Sequence, residues 1–274
     1  MKKIDPLVNL ENVDFSYFNK KILTNINLLI NPNEMIILLG CNGAGKSTLL
    51  RLLAGIHIVY NYNKFSVIGS DRPLDQNNGI AFLGNRWVRH NTFIGNSPYL
   101  ADIKVSDMMK KWQEDNIRRR DELIKVLCID LNWRMHQISD GQRKCVQIMI
   151  SLLKPFKLVL IDEFLNDLDI IKRDRIFTYL KKECKLRDGS VIYATHIFDD
   201  LDTWMNQVVF INNGTCEKKI NIRDFKNGNS LYGAVKKKLI NNINSNIDNN
   251  IDNNIDNNIL GGAGGYSNGR LIEL

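Results

Sequence analysis

Apolar residues recur along the chain with two different periods. Continuous apolar runs at 35–39 and 158–161 are typical of buried parallel strands, whereas Val146, Met149 and Ile150 recur at helical spacing. Residues 7–30 should form an antiparallel pair of strands that turns near residues 19–21. Strands and helices alternate in this order through most of the chain, which predicts an α/β protein.

Between the two apolar runs, about 86–140 should form a smaller, mostly helical subdomain. Residues 106–127 suit one long surface helix, whose partly inward positions are Met108, Trp112, Ile117, Leu123 and Leu127. The core is expected to resume at 141–214, where Asn213-Gly214 marks a hairpin turn. We therefore expect one globular unit over 1–240 that includes the helical subdomain.

Composition narrows the class of protein. With 274 residues and 44% hydrophobic content, the chain can form one large domain with a sizeable core. No apolar run approaches the ~20 residues of a membrane helix, and the first residues lack a secretory h-region. The five cysteines are scattered and form no C-x-x-C pair, which favours free thiols. The cytoplasm is the expected location, with the nucleus as an alternative.

The net charge of +7 raises the question of nucleic-acid binding. Basic runs occur at 118–120, 181–182 and 236–238, but each lies beside acidic residues or on an expected helix face. Aromatic side chains that could stack on bases are not interleaved with them. A solvated surface is the better interpretation, and no direct nucleic-acid partner is expected.

The segment after the first apolar run matches the pattern G-x-x-x-x-G-K-[ST] at every fixed position. Its residues are Gly40, Cys41, Asn42, Gly43, Ala44, Gly45, Lys46, Ser47 and Thr48. An expected strand precedes the pattern and an expected helix follows it, which is the context that makes this P-loop match specific. Backbone N–H groups and the helix N-terminus can surround a phosphate, while Lys46 reaches it and Ser47 binds Mg²⁺. The sequence predicts a nucleoside triphosphate site.

A second set of signals surrounds the later apolar run. Asp162 and Glu163 follow residues 158–161 directly, so Asp162 is expected to hold Mg²⁺ and Glu163 to polarise a water molecule. Upstream, Ser139 is a natural N-cap for a helix, and Gly141 and Gln142 follow it. Such a helix start is a second place at which an anion could bind.

In this arrangement the chain resembles the ATP-binding-cassette (ABC) ATPases, whose signature is Leu-Ser-Gly-Gly-Gln. The resemblance implies a P-loop NTPase fold with a mixed sheet core, an antiparallel β subdomain and a small helical subdomain. It implies that Tyr17 stacks on adenine, although Tyr17 could also be an ordinary edge-strand tyrosine. His196, at the end of the strand 193–196, corresponds to the family's switch histidine. The implied catalytic set is Lys46, Glu163 and His196, with ATP and Mg²⁺ as cofactors.

Two positions depart from the family pattern. Asp140 replaces the first signature glycine, and its carboxylate should repel a γ-phosphate unless it points away or pairs with Arg143. The glutamine expected after the strand at 79–83 is missing, and Asn85 is the best candidate for its role. Both changes affect the expected efficiency of hydrolysis more than the binding of nucleotide.

The same departures point to a subclass. Ser-Asp-Gly-Gln-Arg at 139–143 and Phe-Leu-Gly at 82–84 resemble the soluble class I ABC proteins, which have one nucleotide-binding domain and no membrane domain. A eukaryotic member of that subclass is associated with the CCR–NOT regulator. The end of the chain, 261–274, resembles the subclass tail. Residues 241–260 form an Asn-rich insertion that is expected to be disordered.

In the family, the signature of one chain serves the ATP held by another chain. The resemblance therefore implies a head-to-tail homodimer that hydrolyses Mg-ATP, acting as a switch in a regulatory complex similar to CCR–NOT. Two alternatives remain open at this stage. One is the ATPase subunit of a transporter with a separate membrane chain, and the other is an ATP-dependent dimerisation module with little turnover.

Overall fold

The computed structural model describes residues 5–71, 79–84, 92–94, 97–99, 103–166, 168–196, 201–227 and 230–242, with only the backbone at 92–94 and 97–99. Asn85, residues 243–260 of the insertion predicted at 241–260, and the predicted tail at 261–274 lie outside the described residues, whereas 241–242 end a helix that begins at residue 231. The strands are β1 (Val8–Tyr17), β2 (Lys20–Ile30), β3 (Met35–Leu39), β4 (Lys64–Val67), β5 (Ile80–Leu83), β6 (Thr92–Ile94), β7 (Ser97–Tyr99), β8 (Leu158–Asp162), β9 (Ser190–Ala194), β10 (Gln207–Asn212), β11 (Thr215–Cys216) and β12 (Ile220–Asn221).

Helices occupy both sides of the sheet that these strands form. They are α1 (Lys46–Leu53), α2 (Lys110–Asp115), α3 (Ile117–Leu127), α4 (Asp140–Leu152), α5 (Ile170–Arg187), α6 (Ile222–Lys226) and α7 at residues 231–242, with 3₁₀ turns at Val105–Asp107 and Leu201–Thr203. No helix among the described residues is both long enough and apolar enough to cross a membrane.

The main sheet has the strand order β11-β10-β3-β9-β8-β5, with β12 also paired to β10. Strands β10, β3, β9, β8 and β5 run parallel, whereas β11 and β12 are antiparallel to β10. A separate antiparallel sheet has the order β2-β1-β4. The mixed sheet and the antiparallel subdomain both agree with the predicted fold class, as does the hairpin turn between β10 and β11.

Alternating side chains of the main sheet fill two hydrophobic cores. In β3, Ile37 and Leu39 pack with α3, α4 and α5, whereas Ile36 and Leu38 pack with α1 and the antiparallel sheet. All five residues of β3 are buried, which is expected of a central parallel strand covered on both faces. The layered packing holds the carboxyl ends of the parallel strands at one edge of the sheet.

The predicted long helix at 106–127 was wrong in detail. The chain forms a 3₁₀ turn at Val105–Asp107 and then two helices, α2 and α3, separated at Asn116. Asn116 has φ −128° and ψ 40°, and its side-chain amide donates to the carbonyl oxygen of Trp112 at 3.0 Å. The break turns Ile117 outward to 50% exposure, whereas Leu123 and Leu127 are buried as predicted.

The predicted solvated run at 118–120 was also wrong at its middle residue. Arg119 lies on α3 with its side chain only 8% exposed, and it forms an ion pair with Glu183 of α5. The Arg119 guanidinium also donates to the Tyr179 hydroxyl at 3.1 Å and to the Leu152 carbonyl at 3.3 Å. A side chain from the helical subdomain therefore ties α3 to the ends of α4 and α5.

Candidate functional site

Four loops meet where the parallel strands end. β3 leads to Gly40, β5 to Gly84, β8 to Asp162 and β9 to His196. Because parallel strands present their carboxyl ends at one edge of the sheet, a ligand at this edge can contact all four loops. Most of the residues predicted to bind phosphate, metal and water lie at this edge.

The P-loop turns sharply into α1 at Gly45. Gly45 has φ 109°, a backbone conformation that favours glycine, and a Cβ atom there would displace the Leu23 side chain, whose Cδ2 would lie 2.6 Å away. Asn42 and Gly43 are exposed, whereas Ala44 and Thr48 are buried.

Lys46 is the first residue of α1, and its ammonium group spans the P-loop. Its Nζ donates to the carbonyl oxygens of Gly40 at 2.8 Å and of Cys41 at 3.0 Å. Burial lowers the pKa of Lys46, and the nearby Glu163 carboxylate acts in the opposite direction. A buried ammonium bonded to two carbonyl oxygens gains from an anionic partner, as a phosphate would be.

Ser47 and Asp162 face each other across the loop. The Ser47 hydroxyl donates to Oδ1 of Asp162 at 3.0 Å. Burial raises the pKa of Asp162, and the hydrogen bond from Ser47 partly offsets this effect. A hydroxyl and a carboxylate are hard oxygen donors, and Mg²⁺ binds through one or two such groups together with phosphate oxygens, so this pair fits the metal predicted for it.

A cavity of about 210 Å³ lies beside this pair. Its lining residues are Ser47, Gly84, Lys144, Asp162, Glu163 and Phe164. The glycine at position 84 lets the end of β5 lie close to Asp162, because a Cβ atom at Gly84 would be 3.0 Å from Cβ of Asp162. Lysine and two carboxylates thus share a small polar space next to the P-loop.

Glu163 has a backbone conformation that is rare for its residue type. Its φ is 55°, in the left-handed region, and its amide donates to the carbonyl oxygen of Ala194 at 2.9 Å. Its carboxylate oxygen Oε1 lies 2.9 Å from Nε2 of His196, and both side chains are partly exposed. Such strain is typical of functional positions, and here the residue that carries it also contacts His196.

The loop after Glu163 is attached to β9 through one amide oxygen. Oδ1 of Asn166 accepts from the Tyr193 hydroxyl at 2.7 Å and from the Thr195 hydroxyl at 3.0 Å. Thr195 directly precedes His196, so this contact also fixes the end of β9. Asn166 thus connects the segments that carry Glu163 and His196.

The predicted signature residues form a helix cap instead of joining this cavity. The Ser139 hydroxyl accepts from the Gln142 amide N–H at 3.2 Å, and Gln142 Oε1 accepts from the Ser139 amide N–H at 2.9 Å. This is a complete capping box, so Ser139 is the N-cap that the sequence predicts. Ser139 and Gly141 are exposed, and neither they nor Gln142 line the cavity beside Asp162.

Asp140 pairs with Arg143, as the sequence interpretation allowed. The guanidinium of Arg143 contacts Oδ1 of Asp140, and a second Arg143 nitrogen donates to the carbonyls of Met135 at 3.0 Å and Ile138 at 3.1 Å. The Asp140 side chain is 86% exposed. The pair partly neutralises the carboxylate at the start of α4.

Tyr17 lies in a separate depression of about 700 Å³ that also contains His57. Its hydroxyl oxygen is 2.7 Å from Nε2 of His57, a hydrogen bond between residues 40 positions apart. His57 was missed by the sequence interpretation, because a single histidine after a helix carries no pattern. Asn85, the remaining predicted nucleotide-binding residue, lies outside the described residues.

Lys144 was also missed. It lies on α4 two positions after Gln142, lines the cavity beside Asp162, and places its Nζ 4.9 Å from the centre of the Phe164 ring. On sequence it is one more polar residue on an amphipathic helix. Only the fold, which places Lys144 over the ring of Phe164, brings it to the site.

Comparison with known proteins gives a consistent result. A family profile described as ABC transporter matches residues 23–166. The chain is 38% identical over 227 residues to ABC transporter I family member 20 of Arabidopsis thaliana, which covers 78% of this chain and 69% of that protein. It is 41% identical over 209 residues to CCR4-associated factor 16 of Saccharomyces cerevisiae, with 70% of each chain covered. Among solved structures, an ATP-binding subunit of an ABC transporter superposes with a TM-score of 0.69 at 20% identity, covering 84% of this chain and 99% of that one.

Proposed function

This chain belongs to the ABC transporter family of ATP-binding domains and is an ABC-type ATPase, and we propose that it acts as a free-standing Mg-ATP switch in a regulatory protein complex. The observation that carries the proposal is the separation of two half-sites. Ser47, Asp162, Glu163 and His196 are assembled in the chain, whereas the exposed start of α4 at 139–142 lies outside their cavity.

The P-loop residues would bind the triphosphate. Lys46 would exchange its bonds to the Gly40 and Cys41 carbonyls for phosphate oxygens, which are better partners for a buried ammonium group. The amide groups of the loop at 42–45 and the N-terminus of α1 would surround the same phosphates. Tyr17 would stack on the base.

Glu163 would act as the base for the attacking water. Its left-handed backbone directs the carboxylate beside His196, whose imidazole at 2.9 Å would orient it and contact the terminal phosphate. Ser47 and Asp162 would hold Mg²⁺, which supplies positive charge to the phosphate oxygens when bound. Asn166 would hold the segment of Glu163 beside the segment of His196 through its bonds to Tyr193 and Thr195.

A homodimer would complete the site. The helix start at Ser139 and Gly141 is exposed and carries the partial positive charge of α4, so it can meet the phosphate held by a second copy. ATP would then close two chains head to tail, and hydrolysis would separate them. Cytosolic partners similar to the CCR4 complex are proposed because of the 41% identity to CCR4-associated factor 16.

One observation favours a different function, that of a transporter subunit. A depression of about 560 Å³ lies between the helical subdomain and the core, and Met109, Trp112, Ile80 and Phe156 are among its lining residues. A helix of a separate membrane chain could bind such a groove. A dimerisation module with little turnover is the third candidate, and the Asp140 substitution is its support.

Partner capture with a trapped variant tests these candidates. Glu163→Gln should bind Mg-ATP, lose turnover by about 10²–10⁴-fold and remain dimeric, whereas Lys46→Ala should not bind. Detergent-solubilised cells would be probed with both variants, and proteins recovered only with Glu163→Gln identified by mass spectrometry. Regulatory proteins without membrane helices support the proposal, and a polytopic membrane protein contradicts it. Near-normal turnover of Glu163→Gln would contradict the role of Glu163, and slow wild-type turnover with tight ATP binding would favour the third candidate.

A further inference from the structure

Three aromatic rings from two segments form a compact cluster in the depression at Tyr17. Tyr17 and Phe15 are the last aromatic residues of β1, and His57 follows α1. The Phe15 and His57 rings are nearly parallel, with 5.5 Å between centroids and 25° between planes. Tyr17 stands edge-on to both, at 4.9 Å from Phe15 and 5.2 Å from His57. The Tyr17 ring is therefore held by packing against Phe15 and His57, and its hydroxyl is held by the hydrogen bond to His57.

This cluster adjoins the P-loop through β2. Lys21 lines the depression, and the next two residues, Ile22 and Leu23, lie against the P-loop at Gly45. His57 is joined to the same loop by α1, whose first residue is Lys46. A nucleotide whose phosphates lie in the P-loop can thus place its base at the three rings without leaving this side of the molecule.

We propose that His57 is a positioning residue for the nucleotide base, because it holds the Tyr17 ring in one orientation through the hydrogen bond to the Tyr17 hydroxyl. This inference rests on the proposed ATP site and names a residue of its base-binding part. An aromatic ring that is fixed before binding loses less conformational entropy on stacking than a free one. A partly exposed tyrosine at the end of a strand would otherwise have several accessible rotamers.

The surroundings of His57 favour the uncharged imidazole. Burial lowers the pKa of His57, and the Arg51 guanidinium on α1 acts in the same direction. The acid lining the depression, Asp14, is already bound to the Lys21 ammonium at 3.0 Å and to the Asn25 amide at 2.7 Å. A neutral ring with an unprotonated Nε2 accepts a hydrogen bond from the Tyr17 phenol and leaves the depression without added charge.

The test compares a ligand with a base and a ligand without one. Equilibrium binding of Mg-ATP and of Mg-tripolyphosphate would be measured by competition for wild type, His57→Ala, His57→Gln and Tyr17→Phe. Loss of one neutral hydrogen bond predicts about three- to tenfold weaker ATP binding for His57→Ala and for Tyr17→Phe, with tripolyphosphate affinity within about twofold of wild type. His57→Gln should restore most of the ATP affinity, since its amide can replace the imidazole nitrogen.

A double variant decides whether His57 acts through Tyr17. If it does, His57→Ala combined with Tyr17→Phe weakens ATP binding no more than either single change. Additive losses, equal losses for ATP and tripolyphosphate, or unchanged ATP binding in His57→Ala would each overturn the inference. Wild-type protein that binds neither ligand would instead contradict the proposed ATP site, and with it the inference.

Discussion

The hydroxyl of Ser47 donates to the carboxylate of Asp162 over 3.0 Å, although 115 positions separate the two residues in the chain. Ser47 lies in the first turn of α1 and Asp162 is the last residue of β8, so the contact depends on the parallel packing of β3, β9 and β8. The pair joins the P-loop to the strand that directly precedes Glu163. Both oxygens are suited to one divalent cation.

Replacing Ser47 tests that pairing. Ser47→Ala removes one of the two proposed protein donors to Mg²⁺, so half-maximal ATPase activity should require about 10–100-fold more Mg²⁺. The measurement is turnover against Mg²⁺ concentration at saturating ATP. Ser47→Thr is the matched control, because it keeps a hydroxyl at the same place and should stay close to wild type. Equal Mg²⁺ dependence for the alanine and threonine variants would remove Ser47 from the metal site.

Asp162 gives a prediction about pH and stability. Burial raises the pKa of its carboxyl above the ordinary value of 3.8, so the folded state binds this proton more tightly than the unfolded state. Ionisation of Asp162 therefore lowers stability as pH rises through the folded-state pKa. Asp162→Asn should raise the melting temperature at pH 7 by roughly 1–3 °C and abolish Mg-dependent hydrolysis.

The pH dependence of the same variant provides the control. The difference in melting temperature should disappear below the ordinary value of 3.8, where the wild-type carboxyl is protonated in both the folded and the unfolded state. Apparent Mg²⁺ affinity of the wild type should fall as pH decreases through the raised folded-state pKa of Asp162, because the metal needs the charged form. A less stable asparagine variant at pH 7 would show that the Ser47 bond outweighs the effect of burial.

The buried pair of Arg119 and Glu183 predicts a large effect far from the nucleotide site. Arg119→Ala leaves the Glu183 carboxylate buried with Arg187 as its remaining cationic partner, at 3.0 Å. The free energy of unfolding should fall by roughly 3 kcal/mol, as for other broken buried pairs. Chemical denaturation measures it, and Arg118→Ala, on the exposed side of α3, should change stability by no more than about 0.5 kcal/mol. Similar changes in the free energy of unfolding for both variants would support the prediction that 118–120 is a solvated surface.

Local sequence patterns predicted the parts of the site that are close together in the chain. The P-loop, the β8–Asp162 junction and the Ser139 cap each depend on a few consecutive residues, and the structure has the corresponding strand ends and helix starts. The capping box, in particular, joins Ser139 and Gln142 over three positions. Physical rules of this kind need no knowledge of the tertiary structure.

Residues whose partners are distant in sequence were not predictable in the same way. Arg119 pairs with Glu183, which lies 64 positions away on α5, whereas the acidic neighbours of 118–120 and the lack of interleaved aromatic residues gave a solvated run. His57 matters because of Tyr17, 40 positions earlier. Only the folded chain brings these partners together.

Asp140 is the departure from the family pattern with the most direct consequence. In the proposed dimer its carboxylate lies near the phosphate bound by the other copy, so it should oppose ATP-driven association. On a Glu163→Gln background, Asp140→Gly should lower the ATP concentration for half-maximal dimerisation by about two- to fivefold, with a smaller effect at high salt. Analytical ultracentrifugation across an ATP series gives that concentration.

Arg143 keeps its bonds to the Met135 and Ile138 carbonyls, so the cap of α4 should survive the change from Asp140 to glycine. Asp140→Glu, which keeps the charge, should behave as the parent, whereas weaker dimerisation of Asp140→Gly would mean that the Asp140–Arg143 pair itself contributes to the interface.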